Sequence, residues 1–182
     1  NVRPPMPVSA EFLSLQDEYL TERKNECGIV NVKNLAYTDG ISLLKGDITT
    51  LNADVIVNAA NSAMLGCFRP NHNCIDNAIH TFAGVQVRLD CNDIMKGREA
   101  ENGEVIVTKA YNLPSRFIFH TVGPVVCGRV TKENKSDLAK CYRNCLAKAD
   151  EMKLKSIAFC CISTGVFGYP KEEAALLAVK VV

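Results

Sequence analysis

The chain has 182 residues, 47% of them hydrophobic and 23% charged, with a formal charge of +1. That length suits one domain with a proper core, and the balance excludes both a disordered chain and a disulfide-stapled miniprotein. The scattered Lys and Arg offer no footprint for a nucleic-acid backbone, and no window approaches the roughly 18 apolar residues of a membrane span, so neither nucleic acid nor membrane is an expected partner.

The N-terminus "NVRPPMPVSAEF" lacks the apolar centre of a signal peptide, which points to a cytoplasmic protein. Nine cysteines are many, but the number is odd and the spacing irregular, so a reducing compartment fits better than a disulfide framework. Cys141, Cys145, Cys160 and Cys161 lie in apolar runs and read as small buried hydrophobes. Cys67 and Cys74 do not.

In chain order, "PVSAEFLSLQDEYLTERKNECGIV" carries Phe12, Leu15, Tyr19 and Leu20 at helical spacing, with Ser9 as N-cap and Gly28 as stop. It is an amphipathic N-terminal extension, residues 1–36, expected to pack on the domain at 37–182. "ISLLKGDIT" and "ADVIVNAAN" predict two short buried strands. A Cys/His loop follows, then a helix from about Cys74 through "IDNAIHTFAGVQVRLDC". "EVIVTKAYNLP" and "RFIFHTVG" are two further β-rich runs, and a helix is expected over Lys132–Lys153. "KSIAFCCIS" is an apolar run of buried-strand type. "TGVFGYPKEEAALLAVKVV" is a loop and a helix that stops in mid-pattern, so further residues are expected beyond it. Buried strands alternating with helices mean an α/β layered domain.

Two strands run straight into loops of small and polar residues. Ligands of α/β sheets bind outside the carboxyl ends of strands, and free N–H groups in a glycine-containing loop suit phosphate. "STGVFG", Ser163 to Gly168, is therefore a candidate diphosphate cradle, though such a turn is often merely structural. Asn58 and Asn61 end a strand and offer amides to sugar hydroxyls, or cap the local loop. Asp47 either accepts from a base amino group or caps a helix.

"GDIT", "DVIVNAAN", "IDNAIH", "NLPSRFIFHTVGP" and "ISTGVFGYP", in that order, resemble the macrodomain family from about Ile41 to the C-terminus. Where ordinary macrodomains carry a run of glycines after NAAN, this chain has "GCFRPNHNC", which resembles the zinc-containing macrodomain subgroup. The resemblance implies a three-layer α/β/α sandwich around a mixed, mostly parallel sheet. It also implies a hydrolase that removes mono-ADP-ribose from modified proteins. The subgroup is associated with sirtuin-type ADP-ribosyltransferases and lipoate-carrying proteins.

The residues agree. Cys67, His72 and Cys74 supply two thiolates and an imidazole, suited to one tetrahedral Zn2+ per chain with a fourth position for water or substrate. A closed structural site would need a fourth ligand, for which Asp76 and His80 are nearest. Cys74 sits at a predicted helix N-terminus, where the dipole favours thiolate. The resemblance places adenine at Asp47 and Ile48, and diphosphate at Ser163, Thr164, Gly165, Val166 and Phe167. It places the distal ribose at Asn58 and Asn61, with Asp76 as the acidic catalytic residue. Phe167 and Tyr169 either belong to the core or cover that ribose, the covering role being favoured for aromatics beside a loop glycine, while His80 and His120 read as structural. The alternatives are an ADP-ribose reader without turnover, an ADP-ribose 1''-phosphate phosphatase and a nucleotide-free zinc module.

Overall fold

The computed structural model describes residues 2–182. Its order is α1 (Ala10–Cys27), β1 (Val55–Ala60), α2 (Ile75–Ala83), α3 (Val85–Met95), β2 (Val105–Lys109), β3 (Phe117–Val122), α4 (Lys132–Glu151), β4 (Ile157–Ala158) and α5 (Lys171–Val181), with short 3-10 turns at Val32–Asn34 and Ile48–Thr50. The sheet runs β2-β3-β1-β4; β1 is parallel to both β3 and β4, while β2 is antiparallel to β3. This is the expected α/β/α sandwich with a mixed, mostly parallel sheet.

Strand alternation builds the layers. Ile56, Ala60 and Ile118 pack with Ile79 and Ala83 of α2 and Val87 of α3. Val55, Val57 and Phe119 pack on the other face with Leu138 and Tyr142 of α4 and Ala174 of α5. Burying each such large aliphatic or aromatic side chain contributes about 1.5–3 kcal/mol. Both faces of β1 and β3 are covered, which explains why their sequences are continuous apolar runs.

Four expectations are corrected. The helix predicted from Cys74 onward breaks at Gly84, whose φ of +102° ends α2 and starts α3. "ISLLKGDIT" is not a buried strand: Leu43 is 95% exposed, and Asp47 turns the chain into the 3-10 turn by accepting from the Thr49 N–H. An apolar run without alternation does not say whether a neighbour strand exists to cover it. "KSIAFCCIS" pairs only over Ile157–Ala158, leaving Cys160 half-buried and Cys161 exposed, although Cys141 and Cys145 are buried as expected.

The fourth correction concerns α1. Ser9 and Gly28 cap it as predicted, yet Phe12, Leu15 and Tyr19 face solvent and only Leu20 is buried. A polar clasp docks this helix on the domain. Gln16 Oε1 accepts from Val85 N–H (2.9 Å), Gln16 Nε2 donates to Gln86 Oε1 (2.8 Å), and Asn112 Nδ2 donates to Asp17 Oδ1 (2.7 Å). The first of these satisfies an orphan donor at the start of α3, which has no side-chain cap of its own. No helix among the described residues is long and apolar enough to cross a membrane.

Candidate active site

Because β1, β3 and β4 are parallel, their carboxyl ends open on the same edge of the sheet, where a ligand cleft belongs. Asn58 shares the strand parity of Ile56 and Ala60, so its side chain lies on the α2 side, and it is in register with His120 of β3. Asn58 Nδ2 therefore reaches two acceptors at once, His120 Nδ1 at 3.1 Å and Asp76 Oδ1 at 2.8 Å. Accepting at Nδ1 leaves the proton on Nε2, which donates to Thr108 Oγ1 at 2.9 Å. Asn61 Nδ2 donates to the Gly66 carbonyl (3.0 Å) and to Asp76 Oδ2 (3.4 Å).

Asp76 stands in the first turn of α2 and is 5% exposed. Burial pushes its carboxyl up to about 6, against the hydrogen bond from Asn58 and the charge of Arg88. His80, one turn on, brings Nε2 to 3.6 Å from Asp76 Oδ1; neither ring nitrogen has a hydrogen-bond partner among the described residues. Burial, with His120 and Arg88 close by, holds this imidazole well below its ordinary value, so it is neutral.

The loop that precedes α2 folds back on itself. His72 N–H bonds to the Arg69 carbonyl (3.3 Å), Cys74 N–H bonds to the His72 carbonyl (2.9 Å), and Asn77 Nδ2 ties the Arg69 carbonyl to α2 (3.0 Å). The ligand atoms of Cys67, His72 and Cys74 thereby lie within 4.8 Å of one another, all half-buried. Cys67 Sγ and His72 Nδ1 are 3.4 Å apart. The S–N edge of a tetrahedral zinc site is about 3.6 Å, from Zn–S of about 2.3 Å and Zn–N of about 2.1 Å.

Cys74 caps α2 by accepting from Asn77 N–H, but its thiol is pushed up rather than down. Burial is the largest cause, and the neighbouring Cys67 and Asp76 add to it, outweighing the helix N–H. A divalent cation would relieve that crowding of negative groups. On donor type, spacing and charge, the residues present fit zinc.

A second trio, His80, Cys91 and His120, also lies within 4.8 Å, sealed in the core. His120 is already engaged at both nitrogens, so this trio is a polar network between α2, α3 and β3. A hollow of about 300 Å³ between α3 and β2 is lined by residues that include Asp93, Ile94, Val107 and Thr108, and none of Asn58, Asn61, Asp76 or the Cys67–His72–Cys74 set lines it.

At the end of β4, Ser163 adopts φ +63°, and its carbonyl accepts from Tyr169 N–H, closing the loop. Thr164 N–H is used by Cys161, whereas among the described residues no partner accepts from the N–H groups of Gly165, Val166 or Phe167. Gly123 lies so close that a Cβ there would sit 2.1 Å from Ser163 Oγ. Asp47 is exposed, and one oxygen, Oδ1, accepts from both the N–H and the hydroxyl of Thr49. Ile48 is half-buried against the α2 side of the core, and Phe167 joins it there. Of the two readings for Tyr169, the structure supports the core one: it is 2% exposed and packs in the cluster with α4 and α5.

Sequence reading thus named Asn58, Asn61, Asp76 and the three soft ligands, and the structure brings all six together. It missed His80, His120 and Arg88 as neighbours of Asp76. The four-residue step from Asp76 to His80 on a helix was the available signal for the first; strand register, which places His120, leaves none.

The Macro domain family profile matches residues 57–178. Over 187 residues the chain is 52% identical to the protein-ADP-ribose hydrolase of Staphylococcus aureus (strain MRSA252), covering all of this chain and 70% of that one. The Oceanobacillus iheyensis macrodomain with ADP superposes with a TM-score of 0.68 at 45% identity, over 75% of this chain and 70% of that one. The Trypanosoma brucei macrodomain in complex with ADP gives 0.75 at 32% identity, over 97% and 78%.

Proposed function

The chain belongs to the Macro domain family, and from that premise we propose that it is a zinc-dependent hydrolase that releases mono-ADP-ribose from modified proteins. The observation that carries the reading is the meeting of a buried carboxylate, two strand-end amides and three soft metal ligands at one edge of the sheet. The zinc subgroup, the substrate and the residue roles below belong to this proposal. So do a reducing, cytoplasmic setting, which suits nine free cysteines, and a sirtuin-type ADP-ribosyltransferase as the source of the modification.

Adenine sits against Ile48 with its amino group on Asp47, and the free N–H groups of Gly165, Val166 and Phe167 hold the diphosphate. The distal ribose then lies between Asn61 and the Cys67–His72–Cys74 loop, with C1'' toward Asp76. When bound there, zinc supplies Lewis acidity and an orienting contact for a ribose hydroxyl or a water. Two thiolates soften that acidity, so orientation outweighs water activation. Asn61 fixes the angle of the ribose, and Asn58 holds Asp76 in one rotamer. Asp76 takes a proton of the attacking water as the water oxygen bonds to C1'' and the bond from C1'' to the acceptor side chain breaks, the side chain leaving with the electron pair and regaining the proton from Asp76.

Binding without turnover is the second reading. In its favour, both Asp76 oxygens already accept from asparagine amides. Incubating a mono-ADP-ribosylated protein with zinc-loaded and chelator-treated enzyme, and measuring free ADP-ribose, separates the two. Zinc-dependent release is expected, and Cys67→Ala or His72→Ala should abolish it while ADP-ribose affinity is kept. No release from either form, on substrates with several acceptor types, would leave a reader.

A further inference from the structure

We propose that Arg88 is a positioning residue that holds the Cys67 arm of the ligand set and couples it to the N-terminal segment; the inference rests on the zinc reading above. Arg88 rises from α3 and is 5% exposed, unusual for a cation that the ribose and diphosphate contacts do not use. Its guanidinium meets three residues that flank Cys67. Nε donates to the Leu65 carbonyl at 2.7 Å. The bare Cα of Gly66 makes room for it: a Cβ there would lie 3.0 Å from Nη2. The Phe68 ring stacks over it, 4.7 Å from ring centre to Cζ.

The same group serves the charge of the site. Its positive charge bears on Asp76, Cys91 and Cys67. A lysine could supply that charge but not the planar fork that bonds carbonyls in two directions.

The second direction is the N-terminal segment. Arg88 Nη1 donates to the Arg3 carbonyl, while the Arg3 side chain donates to the carbonyls of Met6 (3.0 Å) and Pro7 (2.9 Å) and stacks near Phe12 of α1. One guanidinium therefore ties the start of the chain to the metal loop. Removing a group bonded directly to a metal ligand weakens metal affinity by about 10–100-fold, and Arg88, acting through the backbone beside Cys67, is placed at the lower end of that range.

The test measures zinc affinity against a chromophoric chelator for the full chain and for Arg88→Lys. Alongside it run the absorption bands of the cobalt(II)-substituted proteins and the affinity for ADP-ribose without metal. We expect Arg88→Lys to bind zinc at least about tenfold more weakly, with shifted thiolate-to-cobalt bands and ADP-ribose affinity within about twofold. Wild-type affinity and bands in Arg88→Lys would overturn the role of Arg88 alone. Parallel loss of ADP-ribose affinity and melting temperature would overturn it in favour of general support of the fold. A wild-type chain that takes up no zinc would overturn the metal reading and this inference with it. Should Arg88→Lys not fold, Phe68→Leu removes only the stacking ring and decides the same question, with unchanged zinc affinity and cobalt bands counting against the proposal.

Discussion

His120 should make stability fall steeply in mild acid, and by a predictable amount. The imidazole is fully buried, and burial pushes it from 6.5 down to about 3. In the unfolded chain it titrates at its ordinary value, so below pH 6.5 the unfolded state takes up a proton that the folded state refuses. The contribution is complete above pH 6.5 and is lost toward pH 3 at about 1.4 kcal/mol per pH unit. Between pH 7 and pH 5 the loss is about 2 kcal/mol, whatever the folded value, provided that it lies well below 5. His80 acts with the same sign. Asp76 acts with the opposite sign, because its folded carboxyl, raised to about 6, is protonated first. Comparing wild type with His120→Asn removes both. Urea denaturation at pH 7 and pH 5 should show wild type losing about 2 kcal/mol more than the variant. Equal losses, or an NMR signal of the His120 ring that titrates between pH 7 and pH 5, would refute the reasoning. The same protonation would turn Nδ1 from acceptor to donor against the Asn58 amide, so the orientation of Asp76 shares this pH limit.

Gly66→Ala should cost about 1–3 kcal/mol in thermal or chemical denaturation and weaken zinc uptake, because the new Cβ would stand 2.8 Å from His80 Cγ at a φ of +82°. Gly165→Ala meets nothing within 4 Å and should melt like wild type, yet lose about tenfold or more in ADP-ribose affinity by calorimetry, because its methyl would crowd a diphosphate held at this loop. Asp76→Asn should slow release of ADP-ribose by about 100-fold or more while binding stays within about threefold.

The layers were legible because β1 and β3 announce themselves as apolar runs of strand length and α2 and α4 as periodic helices. The ligand trio was legible because Cys67, His72 and Cys74 are close in sequence, so a loop of eight residues carries them together whatever the rest of the chain does. What escaped the sequence depends on distant pairing. Register sets Asn58 beside His120, and the packing of α3 under the loop brings Arg88 to Leu65. The exposure of Leu43 and the solvent-facing stripe of α1 were misread for a related reason: an apolar residue records a tendency to be covered, whereas the partner that covers it lies elsewhere in the sequence.

The polar clasp of α1 gives the chain a built-in hierarchy of openings. With only Leu20 buried, the helix is held by a few side-chain amides and a carboxylate, each worth about 1 kcal/mol, and by Arg23 stacked on the Phe82 ring, and not by the core that secures β1 and β3. It should therefore detach as a unit well below the free energy of global unfolding, its amides exchanging with solvent while those of the sheet stay protected. Each such excursion would uncover the first N–H of α3, which Gln16 otherwise satisfies, and would reach the segment whose Arg3 carbonyl meets Arg88 beside the loop around Cys67.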